Sequence, residues 1–336
     1  MLDDPISLPR HGGALAQASE RHGVAIDDWL DLSTGINPHP YPVLHGPEAD
    51  FHRLPDPASL AGLTEAARAA YGESRDVAIA AVPGTDLALR LLPLLARPGP
   101  VTVLGPTYSG HVEAWRDAGR DVSVAPSPAD LSPDCRIVVL VNPNNPDGRR
   151  VAPGELVDLA GRLAAVGGLL VVDEAFADLE PEGSVLPRLG DEPIVVLRSF
   201  GKFYGLAGLR LGFALGHADV VARLGRLVGD WPVSGTAIRL GRQALADTDW
   251  QAETRARLRR GRERLAGLLA ASGLGIAGGT DLFQLAVAAD AVGLHEALAR
   301  QGVWTRIFAD QPGRVRFGLP ADDQFDRLAA ALVRRR

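Results

Sequence analysis

Lysine is almost missing from this sequence: 336 residues contain one, Lys202, and arginine carries every other basic side chain. No lysine-rich tract exists, and a formal net charge of −6 leaves little of the positive field that a nucleic-acid or anionic-membrane partner needs. Cysteine is equally scarce. Cys135 alone cannot build an intramolecular disulfide framework, which fits a reducing compartment, and its place just before the apolar run 137–141 makes it structural. No apolar run approaches 18 residues, and an N-terminus bearing Asp3 and Asp4 has no signal-like apolar segment. A soluble, cytoplasmic protein is the expectation. Two familiar motifs are also lacking. His295-Glu296 has no second histidine four residues on, and Gly273-x-Gly275-x-x-Gly278 follows a helical pattern and precedes a strand, the reverse of a dinucleotide fingerprint.

What is present suggests two domains around a sizeable core. Residues 1–45, rich in Pro, Gly and His, read as an extended arm; 46–225 read as a large domain and 226–336 as a smaller one. In the large domain, strands at 77–82, 101–104, 122–124, 137–141, 169–172 and 194–197 alternate with helices near 85–95, 109–118 and 153–166. An amphipathic helix through Leu60, Leu63, Ala67 and Tyr71 precedes them. Continuous apolar strands flanked by helices predict an α/β fold with a mostly parallel sheet covered on both faces. Beyond 216 the pattern is helical at 218–229, 236–246 and 250–271. Strands then follow at 282–287, 303–307 and 314–319, as in a smaller α+β domain.

Polar residues gather where the strands stop, the edge at which such sheets bind ligands. Gly84-Thr85-Asp86 opens a helix and suits an anion, although an ordinary N-cap explains Thr85 or Asp86 equally well. Tyr108 follows the second strand, and a turn-rich Asn142-Pro143-Asn144-Asn145-Pro146-Asp147-Gly148 follows the fourth. Asp173 ends a buried strand, where a carboxylate needs a partner such as a protonated pyridine nitrogen. Ser199 and Arg210 could bracket a phosphate. Lys202 is either a chance remnant of an arginine-biased composition or a residue kept for its chemistry, since an ammonium can lose its proton and form a Schiff base whereas a guanidinium stays charged.

Late in the chain Arg314 and Arg316 share one strand face, with Arg306 on the preceding strand, a plausible pocket for a doubly anionic ligand. A solvated strand edge accounts for Arg314 equally well.

In order, G-T, P-T-Y, N-P-N-N-P, D-E-A-F, S-F-G-K and G-L-R resemble the class I/II aminotransferases, fold-type I pyridoxal-phosphate (PLP) enzymes, from about residue 30 to 320. The resemblance implies a large PLP-binding domain plus a smaller α+β domain. It implies that Lys202 holds the cofactor aldehyde, that Gly84, Thr85, Asp86, Ser199 and Arg210 hold its phosphate, and that Tyr108 stacks on the ring. Asn145 would then meet the phenolic oxygen and Asp173 the ring nitrogen, with Lys202, Asp173 and Tyr108 as the catalytic set. On the same basis Arg316 takes a substrate carboxylate and Arg306 a substrate phosphate. H-G-G at His11, the segment containing Asn37, W-P-V-S and R-F-G-L-P look most like the phosphorylated-amino-acid decarboxylases of cobalamin biosynthesis, relatives of the histidinol-phosphate aminotransferases. His11 and Asn37 become candidate substrate contacts. Leu54 and Phe176 stand where aminotransferases of that branch usually have tyrosines. No metal is implied; a homodimer is.

Overall fold

A computed structural model describes residues 12–43, 46–72 and 77–334. The chain falls into two compact units, Pro40–Gln251 and the pairing of Met1–His39 with Ala252–Arg336, where the sequence pattern draws borders at 45/46 and 225/226. In chain order the strands are β1 (Leu30–Asp31), β2 (Ala78–Val82), β3 (Val101–Leu104), β4 (Val122–Ala125), β5 (Ile137–Val141), β6 (Leu169–Asp173), β7 (Ile194–Ser199), β8 (Gly212–Gly216), β9 (Gly275–Thr280), β10 (Phe283–Val287), β11 (Val303–Trp304), β12 (Arg306–Ile307) and β13 (Arg314–Gly318).

Unit Pro40–Gln251 is built on a seven-stranded sheet ordered β2-β8-β7-β6-β5-β3-β4. From β4 to β7 all neighbours run parallel, and β8 lies antiparallel between β2 and β7. Every residue of β5, β6 and β7 is buried, as Ile, Val and Leu runs require when both faces are covered. Each such side chain contributes about 1.5–3 kcal/mol when taken fully out of water. The cost of ending β6 on Asp173 and β7 on Arg198-Ser199 has to be met by partners at that edge. Helix Pro57–Tyr71 shows how local chemistry sets the ends: Asp56 caps its start by accepting from Ala58 N–H, and Gly72 ends it at φ 69°. The mostly parallel covered sheet is as expected; β8 is an addition, its three apolar residues between glycines being too short a signal.

In the other unit β12-β13-β10-β9 form an antiparallel sheet and β1 pairs in parallel with β11. The expected extended arm is corrected for residues 12–39. They carry helix Leu15–His22 and strand β1, whose Leu30 sits opposite Val303, and Leu30, Leu32, Ser33 and Asn37 are buried. Pairing with a strand far along the chain outweighs a local composition that favours extended backbone. The rejected glycine motif runs into strand β9, which contains its Gly275 and Gly278. The expected strand 303–307 breaks at Thr305, whose hydroxyl meets His295 Nδ1 at 2.8 Å. Among the described residues no helix is long and apolar enough to cross a membrane.

Candidate active site

Register across three strands brings together groups suited to an anion, a candidate cradle. Val82 pairs with Gly212, and Gly212 with Ser199, so the ends of β2 and β7 flank the start of β8. Gly84 follows β2 at φ 84°, and a Cβ there would lie 2.4 Å from Arg210 Nη2; a Cβ on Gly212 would lie 2.9 Å from the Thr85 nitrogen. The two glycines therefore let a guanidinium and a helix-opening amide approach closely. Thr85 begins helix Thr85–Leu95, whose N-terminus favours negative charge, and Thr85 and Ser199 add hydroxyls. Arg210 sits in the left-handed region, φ 53°, which is uncommon for a side-chain-bearing residue, and its Nη1 donates to Ala207 O at 3.2 Å. Asp86 turns its carboxylate to Arg90 Nε (3.1 Å) and accepts from the Tyr108 hydroxyl (3.5 Å).

Next to the cradle lies a place for a flat ring. Tyr108 precedes helix Ser109–Asp117, and one turn on, buried His111 holds Nε2 2.9 Å from Asp173 Oδ2. The other Asp173 oxygen accepts from Ala175 N–H at 3.0 Å. Nδ1 of His111 has no partner among the described residues, which fits the tautomer that carries its proton on Nε2 and donates it to Asp173. Burial, and then the Asp86 carboxylate, push the Tyr108 phenol up to about 12, so it remains a neutral donor. The loop after β5 is tied to the loop after β3 and braced from within: Thr107 Oγ1 donates to Asn144 Oδ1 at 2.6 Å, and Asn144 Nδ2 donates to Pro106 O and to Asp147. Asn145 sits half-buried beside it.

Lys202 is half-buried just after β7, with Nζ 5.9 Å from the centre of the Phe176 ring. Rings back its loop: Phe200 stacks on Tyr204 at 4.2 Å, Tyr204 on Trp250 at 5.8 Å, and Tyr41 meets Trp250 edge-on at 5.0 Å. Such contacts add stabilisation beyond area burial and restrict the loop.

In the unit of β10 and β13, Arg316 is buried and faces Leu285 on one side and Arg306 on the other. Its Nη2 donates to Ser33 O at 2.5 Å. Burial, and then the Arg306 charge, pull its pKa down to about 9, a pressure that a bound anion would relieve. Arg314 lies half-buried two residues earlier on the same face. Asn37 is buried, its Oδ1 accepting from His39 N–H at 2.8 Å. His11 lies outside the described residues.

The large unit thus links Gly84, Thr85, Asp86, Tyr108, Asp173, Ser199 and Arg210 through contacts and strand register, with Asn145 and Lys202 on loops at the same edge. Arg306, Arg316 and Asn37 belong to the other unit. Sequence reasoning missed His111, whose only signal is its spacing of three residues after Tyr108. An aldehyde-bearing, phosphorylated pyridine asks for an anion cradle, an oriented carboxylate, an aromatic face and an amine. These residues fit it on each count, Gly84 and Gly212 leaving the room that a Cβ would fill.

Comparison with known proteins gives the fold and the family. The chain is 43% identical over 327 residues to a threonine-phosphate decarboxylase of Pseudomonas aeruginosa, covering 96% of this chain and 97% of the relative. It is 43% identical over 330 residues to one of a Sinorhizobium species, with the same coverage. Its fold matches the crystal structure of histidinol-phosphate aminotransferase from Sinorhizobium meliloti in complex with pyridoxal-5'-phosphate. There the TM-score is 0.81 at 23% identity, over 98% of this chain and 95% of that one. The aminotransferase class I and II model matches residues 27–332, and the chain belongs to that family.

Proposed function

We propose that the protein is a PLP-dependent enzyme that decarboxylates L-threonine O-3-phosphate to (R)-1-amino-2-propanol O-2-phosphate and carbon dioxide, a step of cobalamin biosynthesis. The observation that carries this reading is the identity to two threonine-phosphate decarboxylases along nearly the whole chain. The cradle and the oriented carboxylate support the cofactor. When bound, PLP supplies an electron sink for the pair left by the breaking carbon–carbon bond.

The chain's own residues divide the remaining work. Gly84, Thr85, Ser199 and Arg210 hold the phosphate by amide, hydroxyl and guanidinium. His111 and Ala175 N–H orient Asp173, which would accept from the ring nitrogen and favour its protonated form. Asn145 would meet the phenolic oxygen and Tyr108 the ring face. Lys202 would hold the aldehyde, and its amine, once free, would be the group placed to carry a proton to the α-carbon. Arg316 would take the substrate carboxylate and Arg306 the substrate phosphate, with Asn37 and His11 as further contacts. Phe176, its ring centre 5.9 Å from Lys202 Nζ, and Leu54 each lack the hydroxyl of the transaminating branch, which weakens the aminotransferase reading.

A cytoplasmic homodimer belongs to the same proposal, supported by exposed Phe51, Leu54 and Trp231 in the large unit.

The test is a mass-spectrometric product assay with purified protein, PLP and L-threonine phosphate, without any 2-oxo acid. Many turnovers per site are expected. Turnover only when histidinol phosphate and 2-oxoglutarate are supplied would reject the decarboxylase and leave the cofactor assignment standing.

A further inference from the structure

The ends of β6 and β7 carry a second charged cluster, turned away from the cradle. Asp173 pairs with Leu197 in parallel register, so Asp173, Leu197 and Ser199 project to one face while Glu174 and Arg198 project to the other. There Arg198, 2% exposed, donates to Glu174 Oε2 at 2.9 Å and to Asp178 Oδ1 at 2.5 Å, with its guanidinium 4.3 Å from the centre of the Tyr71 ring. Glu174, 0% exposed, also accepts from Ser184 Oγ at 2.5 Å and from Val185 N–H at 2.8 Å. None of these residues is among those assigned to cofactor or substrate.

Stability alone explains such a cluster poorly. Taking charges out of water costs about as much as their attraction returns, and apolar side chains of similar volume often serve a core as well. What a planar guanidinium fork adds is direction, because it fixes its carboxylates at set positions. One carboxylate here is on the residue next to Asp173, and the other is in the 3-10 turn Ala177–Leu179 that follows. The fork itself is next to Ser199 and four residues before Lys202.

We propose that Arg198 is a positioning residue for the cofactor site. By locking Glu174 and Asp178 it sets the end of β6 against the end of β7, and so the placement of Asp173 relative to Ser199 and Lys202. This rests on the PLP reading above, since it is the distance from ring nitrogen to phosphate and aldehyde that the clamp matches.

Removing Arg198 alone would strand two buried carboxylates, so the informative variant is neutral throughout, Arg198→Met with Glu174→Gln and Asp178→Asn. It is compared with Arg198→Lys, which keeps the charge without the fork, and with the parent, all as full-length protein titrated with PLP. Dissociation constant, induced circular dichroism of the bound cofactor and melting temperature are measured on each. The neutral variant is expected to melt near the parent, to bind PLP about tenfold or more weakly, as when outer partners of a metal site are removed, and to lose most of the induced signal. Arg198→Lys should fall between. Parental affinity and dichroism in both variants, or an affinity loss that only tracks melting temperature, would overturn the clamp as a positioning device. A parent that shows no visible band with PLP would instead remove the cofactor reading, and the clamp with it.

Discussion

Arginine and lysine differ in one property that matters at Lys202: only the amine can be deprotonated near neutral pH and attack an aldehyde. A chain that uses arginine everywhere else has reason to keep lysine there. Lys202→Ala and Lys202→Arg should both lower turnover by on the order of 10²–10⁴ or more and abolish the visible absorbance acquired with PLP. Activity retained in either variant would end the case for a covalent lysine. At His111 the property that matters is hydrogen-bond donation. His111→Phe removes the donor to Asp173, a charge-assisted bond, and should cost about 10- to 100-fold in kcat. His111→Gln, whose amide can still donate, should retain more; equal losses would mean that the site needs only volume there. Residues of this kind differ in how readable they are from sequence. Asp173 ends an apolar strand and Lys202 is unique in the chain, whereas His111 and Arg198 sit inside ordinary patterns and show their roles only when the partner from another strand or helix is in place.

Elements were legible wherever packing and pattern agree. β3 and β5 occupy the expected residues, because a β-branched run covered on both faces has no competing reading. β9, Gly-Ile-Ala-Gly-Gly-Thr, was not, since glycine weakens a strand's local preference and only pairing with β10 holds it extended. Helix Ala291–Ala299 and β11 show a further consequence of packing. His295, 2% exposed, lies 4.5 Å from the Trp304 ring, and burial, then the charges of His22, Arg21 and Arg306, lower its pKa to about 4. Burial lowers the pKa of His22 too, against the pull of Glu296. For His295 the unfolded chain binds the proton more readily, so its contribution to stability is complete above its unfolded pKa near 6.5 and is lost as pH falls toward 4. The span corresponds to roughly 3 kcal/mol. Melting temperature should therefore drop between pH 7 and 4.5 more steeply in the parent than in His295→Gln, and parallel curves would exclude His295 as the source.

At the scale of the whole molecule, the sequence pattern could mark domains by composition but could not foresee that 12–39 joins 252–336, because β1 and β11 are separated by about 270 residues and nothing local links them. The same limit applies to association. In the unit Pro40–Gln251, exposed Leu54 lines a groove together with Asp50, Arg53, Arg239 and Arg242; exposed Phe51 lies between the lining residues Asp50 and Arg53 in sequence, and exposed Trp231 four residues before the lining Gly235. Single exposed apolar side chains are ordinary, but an exposed leucine in an arginine-lined groove, with exposed aromatics close by in sequence, has the composition of an interface. The Asp50–Arg239 pair, at 2.9 Å, ties the segment carrying Phe51 to helix Gly235–Ala246, so the surface is formed before any partner arrives. Sedimentation should give twice the 35.5 kDa chain mass. Introducing charge as Leu54→Glu with Trp231→Glu costs the folded chain little, because both positions face solvent, yet it would place carboxylates in a desolvated contact. The double variant should sediment as a single chain with its melting cooperativity retained. A parent that already sediments at 35.5 kDa, or a double variant that remains at twice that mass, would show that this face is not where two copies meet.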